Sequence, residues 1–245
     1  RIGALPLELK NIRSNIVGAK LGGDALKTSL IAGAIGLALV IIFMIVMYWI
    51  PGVAASLALL FYVGASVLAI NGLDVTLTLP GIAGIVLTMG MAVDANVIIY
   101  ERIKEELRGG KGLSLAIKDG FSKAYSAIID GNLTTIITGI VLFIFGNGPV
   151  QGFATTLIIG IITSFFSAVF ITRLLIEWIV AKWGNISFSR KWSENFLTNT
   201  HFDFIRVRKV AYTVSVALLA LSCISFVARG LNLGAEFTGG RAYVI

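Results

Sequence analysis

The sequence is poor in the residues that build disulfides and metal sites, because its 245 residues include one cysteine and one histidine. A single cysteine excludes an intrachain disulfide framework, and a metal site requires several Cys, His or carboxylate ligands that lie together. A phosphate-binding loop, G-x-x-x-x-G-K-[ST], is also absent. The nearest match ends at Lys27-Thr28, but Leu26 stands where the second glycine is required. We therefore expect no metal site, no cofactor and no enzymatic activity.

Charged residues are scarce as well. Only 13% of the residues are charged, 57% are hydrophobic, and the mean hydropathy is +0.91. These values exclude a soluble domain of this size and indicate a membrane protein with several spans. The net charge of +7 does not indicate nucleic-acid binding, because the basic residues lie beside the apolar segments, where they set orientation and contact anionic lipid.

Six apolar segments are each long enough to cross a bilayer as a helix, which takes about 20 residues. Turn-forming residues, such as Pro51-Gly52 and Asn71-Gly72, interrupt the apolar runs. The sequence therefore predicts an all-α polytopic membrane protein with six transmembrane helices. The segments cover residues 30–48, 53–70, 81–100, 124–145, 153–171 and 211–228.

Two longer connections, residues 101–123 and 182–209, are rich in lysine and arginine. The positive-inside rule places both charged loops in the cytoplasm, so the two ends of the chain would lie on the outer side. We expect residues 101–108 to continue the third span as a helix that ends at Gly109-Gly110. His201, in the second loop, is expected to face water.

Asp94 is the one charged residue between Pro80 and Tyr100. A charge near the middle of a spanning helix costs about 2.5–3.5 kcal/mol on insertion scales, so its presence favours a role in proton or ion handling. We expect Asp94 to be buried, because small residues in the same span would let another helix pack beside it. The alternative is a static hydrogen bond to a neighbouring helix. The small residues are Gly81, Gly84, Thr88, Gly90 and Ala92.

The first half of the fourth span carries polar residues at the depth expected for Asp94. Their spacings of three and four residues predict two rows along the helix, which could hold water or hydrogen-bond a neighbour. A polar packing seam explains the same pattern equally well. Together with Asn96, these residues are the candidates to act with Asp94: Asp130, Asn132, Thr134, Thr135 and Thr138.

Three runs of residues form longer motifs: residues 79–97 (LPGIAGIVLTMGMAVDANV), 130–135 (DGNLTT) and 148–154 (GPVQGFA). Together they resemble the signatures of the SecD/SecF protein-export family. Residues 1 to about 195 resemble the C-terminal part of SecD. From about Phe202 the chain resembles the start of SecF, with the run Glu236-Phe237-Thr238-Gly239-Gly240. Both parts in one chain are similar to the fused SecDF form.

The resemblance implies a bacterial member of the resistance-nodulation-division superfamily in the cell inner membrane. Such a protein is an accessory of the Sec translocon that uses the proton (or sodium) gradient to promote preprotein translocation. Its implied partners are the translocon channel complex, the remaining parts of SecD and SecF, the preprotein and the lipid bilayer. The aspartate of D-A-N-V, here Asp94, is implied as the ion carrier. Asn132, Thr134 and Thr135 are implied as its partners, and Asn96 and Asp130 complete the predicted set.

The resemblance also divides the chain into five parts. Residues 1–28 would return from an outer domain, and residues 29–183 would hold SecD-like transmembrane helices 2–6. Residues 184–209 would form a cytoplasmic linker, residues 210–229 the first SecF-like transmembrane helix, and residues 230–245 the start of a second outer domain. The family consists of two six-span repeats, so the chain would hold five spans of one repeat and the first span of the other, as a piece of a longer protein.

Two other functions remain open at this point. A small-molecule/proton antiporter of the same superfamily would share the buried carboxylate, although the D-A-N-V and D-G-N-L-T-T runs argue against it. A passive membrane scaffold subunit would keep Asp94 in one protonation state. Only an experiment on mechanism separates the scaffold from the ion-driven subunit.

Overall fold

Helices make up nearly all of the computed structural model, which describes residues 19–184, 186–188, 205 and 207–231 of the chain. No strand occurs among these residues. Residues 1–18 of the predicted outer segment 1–28, residues 232–245 of the predicted segment 230–245, and most of the linker with His201 lie outside the described residues. A π-helical turn at Ser167–Ile171 joins the fifth helix to the sixth. The helices are α1 (Ala19–Tyr48), α2 (Ile50–Gly72), α3 (Leu79–Arg108), α4 (Leu113–Phe145), α5 (Pro149–Phe166), α6 (Thr172–Trp183) and α7 (Arg208–Arg229).

Among the described residues, the prediction of six transmembrane helices is confirmed in number and type. Five of the apolar helices, α1 to α4 and α7, are long enough to cross a membrane. The sixth crossing is the continuous rod formed by α5, the π-helical turn and α6, which runs from Pro149 to Trp183. The chain divides into two compact units, with α1 to α6 in residues 1–194 and α7 in residues 195–245.

Proline, glycine and one capping hydroxyl set the helix ends. Pro51, Pro80 and Pro149 lie in the first turns of α2, α3 and α5. A backbone N–H has no intrahelical acceptor at these positions, so proline removes no helix hydrogen bond. The Thr78 hydroxyl oxygen accepts a hydrogen bond of 3.1 Å from the Gly81 N–H and so caps α3. Gly109 follows the last residue of α3, as predicted for the helical extension of the third span.

α3 is central to the first unit and packs most extensively against α5 and α4. The α3–α5 contact depends on small residues, because a Cβ added at Gly84 would stand 2.7 Å from the Thr156 hydroxyl oxygen. Gly160 of α5 is packed in the same way against the side chain of Thr88. Close approach of this kind lets backbone and side-chain atoms of two membrane helices pack without lipid between them.

The charged connection predicted at residues 101–123 is mostly helical, and residues 101–108 continue the third span as expected. α3 continues to Arg108 and α4 begins at Leu113, so only residues 109–112 connect the two helices. The start of α4 is amphipathic, and its buried side lies against the end of α3. Gly120 permits this contact, because a Cβ added there would stand 2.9 Å from the backbone nitrogen of Ile103. The charged residues at the start of α4 therefore lie on a helix that packs against α3.

Ion pairs between the two helices account for the charges in this hairpin. Glu106 is nearly buried on α3 and pairs with Lys111 of the connection and Lys123 of α4, both at 2.5 Å. Lys111 also pairs with Asp119. The carboxylates of Asp119 and Glu106 raise the pKa of Lys111 above its ordinary value. The lysines thus neutralise carboxylates of the hairpin instead of forming a flexible loop.

Candidate functional site

Asp94 lies on the exposed side of α3, so the expectation that it is buried is wrong within the described residues. The close-packed side of α3 contains Gly84, Thr88 and Ala92. A helix turns about 100° per residue, which places Asp94 about 200° from Ala92. The small residues do let α5 approach, as predicted, but on the side of the helix away from the carboxylate.

An exposed line of residues on α3 includes the carboxylate, and we call it the Asp94 stripe. Its spacings of four, three, four and four residues keep all of its members on one side of the helix. At Gly90 an added Cβ would meet no atom within 4 Å, so no described residue covers the middle of the stripe. The stripe consists of Ala83, Leu87, Gly90, Asp94 and Ile98.

A cleft of about 160 Å³ lies beside Asp94, between α3 and α4. Small residues on both helices, Ala95, Ala127 and Gly131, leave this space open. Asp94 and Asn132 are the polar side chains in its lining, so the structure brings the carboxylate together with one of its predicted partners. A space of this size and polarity can hold several water molecules.

The other predicted partners on α4 do not line the cleft. The hydroxyls of Thr134 and Thr135 both donate to the carbonyl oxygen of Gly131, at 2.9 and 3.2 Å, and so bond to their own helix. Asp130 is exposed and lies outside the cleft. The Asn132 amide donates to the carbonyl oxygen of Ile128 at 2.8 Å, which leaves its side-chain oxygen able to accept a hydrogen bond.

Asn96 lies on the close-packed side of α3 and does not adjoin the carboxylate. Its side chain is 2% exposed, and its amide donates to the Ala92 carbonyl oxygen at 3.3 Å. The side-chain oxygen is buried and has no hydrogen-bond partner among the described residues. Asn96 comes two residues after Asp94, and at about 100° per residue the two side chains are about 200° apart around the helix axis. They therefore point to opposite sides of α3.

A buried line of hydroxyls between α2, α3 and α5 was not identified from the sequence. The Tyr62 hydroxyl oxygen lies 2.6 Å from the Thr88 hydroxyl oxygen, and the Ser66 hydroxyl oxygen lies 2.9 Å from that of Thr163. The available signal was the spacing of Tyr62 and Ser66, which are four residues apart on one side of an apolar helix. These contacts satisfy polar groups between the packed helices.

The chemistry available at the cleft is that of one carboxylate, one amide and the water that the space can hold. Such a set can bind and release a proton or a monovalent cation, whereas it lacks a nucleophile paired with a base. The described residues contain no group of three or more His, Cys, Asp or Glu side chains that could hold a metal ion. Asp94 and Asn132 are therefore the best candidate site.

Comparison with protein families gives two matches. The family described as "Protein export membrane protein SecD/SecF, C-terminal" matches residues 4–182, which include the Asp94 cleft. The family described as "SecD/SecF GG Motif" matches residues 224–245, which include the run at residues 236–240. Both matches fall where the sequence motifs predicted them.

Several bacterial proteins are similar in sequence. The protein translocase subunit SecDF of Bacillus subtilis is 40% identical over 97% of this chain, which corresponds to 34% of that protein. The protein translocase subunits SecD of Leptotrichia buccalis and Rickettsia typhi are 49% and 51% identical over 71% and 73% of this chain. The chain spans less than half of the length of each of these relatives.

The fold is also similar to solved structures. The crystal structure of SecDF from Thermus thermophilus, a translocon-associated membrane protein, matches 91% of this chain with a TM-score of 0.85 and 37% identity, covering 30% of that chain. SecDF in its super-membrane-facing form matches 88% with a TM-score of 0.77. With the six apolar helices, these likenesses indicate a multi-pass protein of the bacterial membrane. The chain belongs to the SecD/SecF family of protein-export membrane proteins.

Proposed function

We propose that this chain is the ion-carrying part of an accessory subunit of the Sec translocase. In this proposal a proton or sodium gradient promotes preprotein translocation, and Asp94 binds and releases the coupling ion. The observation that carries the proposal is the position of Asp94. It is the one charged residue between Pro80 and Tyr100 of a membrane-spanning helix, and it lines a cleft together with Asn132.

The energetics of a charge in the membrane support this role. A carboxylate that faced lipid at this depth would cost about 2.5–3.5 kcal/mol on insertion scales, and such residues normally face a helix-bundle interior or a water-filled cavity. The Asp94 stripe is exposed in the first unit. We therefore propose that further helices of the full-length protein, with the second SecF-like repeat as the candidate, cover the stripe and enclose the cleft.

The relatives support the proposed partners. SecDF of Thermus thermophilus is described as translocon-associated, and the Bacillus relative is a protein translocase subunit. By this likeness the proposed partners are the Sec translocon channel, the rest of SecD and SecF, the preprotein and the bilayer.

The decisive experiment compares Asp94→Asn with Asp74→Asn in the full-length protein. Both substitutions remove one carboxylate and keep the size of the side chain, but Asp74 lies in the α2–α3 connection. Its φ of 50° is one that asparagine also adopts. Preprotein translocation into membrane vesicles is measured with an imposed proton gradient and, separately, with an imposed sodium gradient.

We expect Asp94→Asn to abolish stimulation by the coupling gradient at unchanged membrane abundance, and Asp74→Asn to retain it. The gradient that stimulates the Asp74→Asn variant identifies the coupling ion. Equal stimulation of Asp94→Asn and the unsubstituted protein would contradict the proposal and would favour a passive scaffold subunit.

A further inference from the structure

A continuous groove runs along α4 where this helix faces α5, the π-helical turn and α6. It consists of three adjoining clefts of about 400, 420 and 230 Å³. The first two clefts share Lys118 and Arg173, and the second and third share Tyr125. We call this the α4–α6 groove. Ile128 and Asn132 of α4 line both this groove and the Asp94 cleft, whereas the small residues Ala127 and Gly131 line the cleft alone.

One end of the groove is cationic. Lys118 is exposed and has no ion pair or hydrogen bond among the described residues. The Nε of Arg173 donates to Glu177 at 2.8 Å, and no hydrogen bond of its terminal nitrogens is found in this part of the chain. The guanidinium carbon lies 5.8 Å from the centre of the Phe121 ring. Two cations and one carboxylate leave this end with a net positive charge.

The groove becomes apolar away from the cations. Tyr125 packs against Phe165 with ring centres 5.9 Å apart, and Phe170 lines the wall opposite Phe121. Beyond Tyr125 the lining is mostly aliphatic and includes Ile136 and Ile162. A cationic end, an aromatic middle and an aliphatic far end follow the order of headgroup, interface and acyl chain in one leaflet.

The dimensions agree with one leaflet. At a rise of 1.5 Å per residue, Lys118 and Tyr125 are about 10 Å apart along α4. By the same rise, Tyr125 and Ile136 are about 16 Å apart, close to half of a hydrocarbon core that is about 30 Å thick. A phospholipid with its phosphate at Lys118 would therefore reach the bilayer midplane within the groove.

We propose that the α4–α6 groove is a binding site for an anionic phospholipid, whose phosphate contacts Lys118 and Arg173 while one acyl chain lies along Tyr125 and Ile162. Basic pockets between membrane helices bind anionic headgroups in this way. A soluble anion would use the cationic end but leave the aliphatic end unfilled. A zwitterionic lipid would fill the groove without using the net positive charge.

The test is native mass spectrometry of the full-length protein released from vesicles of equal parts phosphatidylglycerol and phosphatidylcholine. We expect the unsubstituted protein to retain phosphatidylglycerol in preference to phosphatidylcholine. Lys118→Gln should lower the affinity for phosphatidylglycerol about fivefold, which corresponds to ~1 kcal/mol for one basic residue near the membrane surface. Lys182→Gln is the matched control, because Lys182 lies outside the groove, 5.0 Å over the Trp178 ring.

A second pair of variants tests occupancy of the groove without changing its charge. Ser122 lines the groove beside the aromatic residues, so Ser122→Trp should fill the space and displace the lipid. Ile144→Trp places the same side chain on an exposed position of α4 outside the groove and should leave retention unchanged. Equal retention of the two lipids, or equal retention by Lys118→Gln and Lys182→Gln, would overturn the proposal. Undiminished retention by Ser122→Trp would overturn it as well.

Discussion

Asp94 and Asn96 are two residues apart in one helix and lie on opposite sides of it. Asp94 is exposed beside the α3–α4 cleft, whereas Asn96 is 2% exposed in the helix packing of the first unit. The D-A-N-V motif therefore contains two polar residues with different surroundings. The carboxylate faces a space that can hold water, and the amide oxygen of Asn96 faces a core in which no described residue bonds it.

Two apolar substitutions on the core side of α3 should differ in their effect on the free energy of unfolding. Thr88→Val keeps the shape of the side chain but removes the hydroxyl 2.6 Å from the Tyr62 hydroxyl, so we expect a loss of about 1 kcal/mol in the free energy of unfolding. Asn96→Leu removes a buried oxygen that has no partner, together with a longer hydrogen bond of 3.3 Å to the Ala92 carbonyl of its own helix, so it should cost less than Thr88→Val. Thermal unfolding of the purified full-length protein in detergent measures both. A lower midpoint for Asn96→Leu than for Thr88→Val would contradict this account of the core.

The sequence predicted the number and type of helices because bilayer thickness sets a minimum apolar length, and each apolar run exceeds it. It also predicted the end of α3 at Gly109. It did not predict that α4 begins at Leu113, because Lys118 and Lys123 resemble a solvated loop until their positions against α3 are known. The pairing of Glu106 with Lys123 depends on two helices meeting, which local sequence does not encode.

The candidate site was predicted in part. The sequence identified Asp94 and Asn132, which the structure places in one cleft. It placed the carboxylate on the close-packed side of α3, although the 200° rotation between Ala92 and Asp94 follows from about 100° per residue. The error arose because the small residues of the span were grouped together without regard to the side of the helix that each occupies. Gly90 shares the side of Asp94, whereas Thr88 and Ala92 do not.

The α3–α4 hairpin offers a stability prediction about nearly buried charge. Glu106→Gln should lower the thermal midpoint, because Lys123 loses its partner while Lys111 keeps Asp119. Glu105→Gln is the control, since Glu105 pairs with Arg102 on the surface, where an ion pair contributes about 0–1 kcal/mol.

The double variant Glu106→Gln/Lys123→Gln separates pairing from packing. If the loss comes from the unpaired lysine, the double variant should unfold at a higher temperature than Glu106→Gln alone. A double variant that is less stable by the sum of the two single losses would show that the pair itself adds nothing.

The exposure of the Asp94 stripe predicts a difference in lipid contact within the full-length protein. Leu87 lies on the stripe and is 53% exposed, while Leu68 on α2 is 74% exposed. Single spin labels at these positions, in a Cys223→Ser background, report collisions with dissolved oxygen, which is concentrated in lipid. Because the proposed function requires the stripe to be covered, we expect a lower collision rate at Leu87→Cys than at Leu68→Cys. Equal rates would place Asp94 against lipid and would contradict the proposed enclosure.

The cleft makes a final prediction about which residue of α4 assists Asp94. Asn132 lines the cleft with a side-chain oxygen that no described residue bonds, whereas the Thr134 hydroxyl bonds to the Gly131 carbonyl of its own helix and lies outside the cleft. Asn132→Leu should therefore reduce gradient-stimulated preprotein translocation, because it removes the polar group that can hold water or the ion beside the carboxylate. Thr134→Val, which also replaces a polar side chain with an apolar one, should retain most of the stimulation.

Both variants are compared with Asp94→Asn in the same vesicles at matched abundance. If Thr134→Val lost the stimulation while Asn132→Leu kept it in full, the coupling path would follow the polar row of α4 that contains Thr134. The assignment of Asn132 would then be wrong.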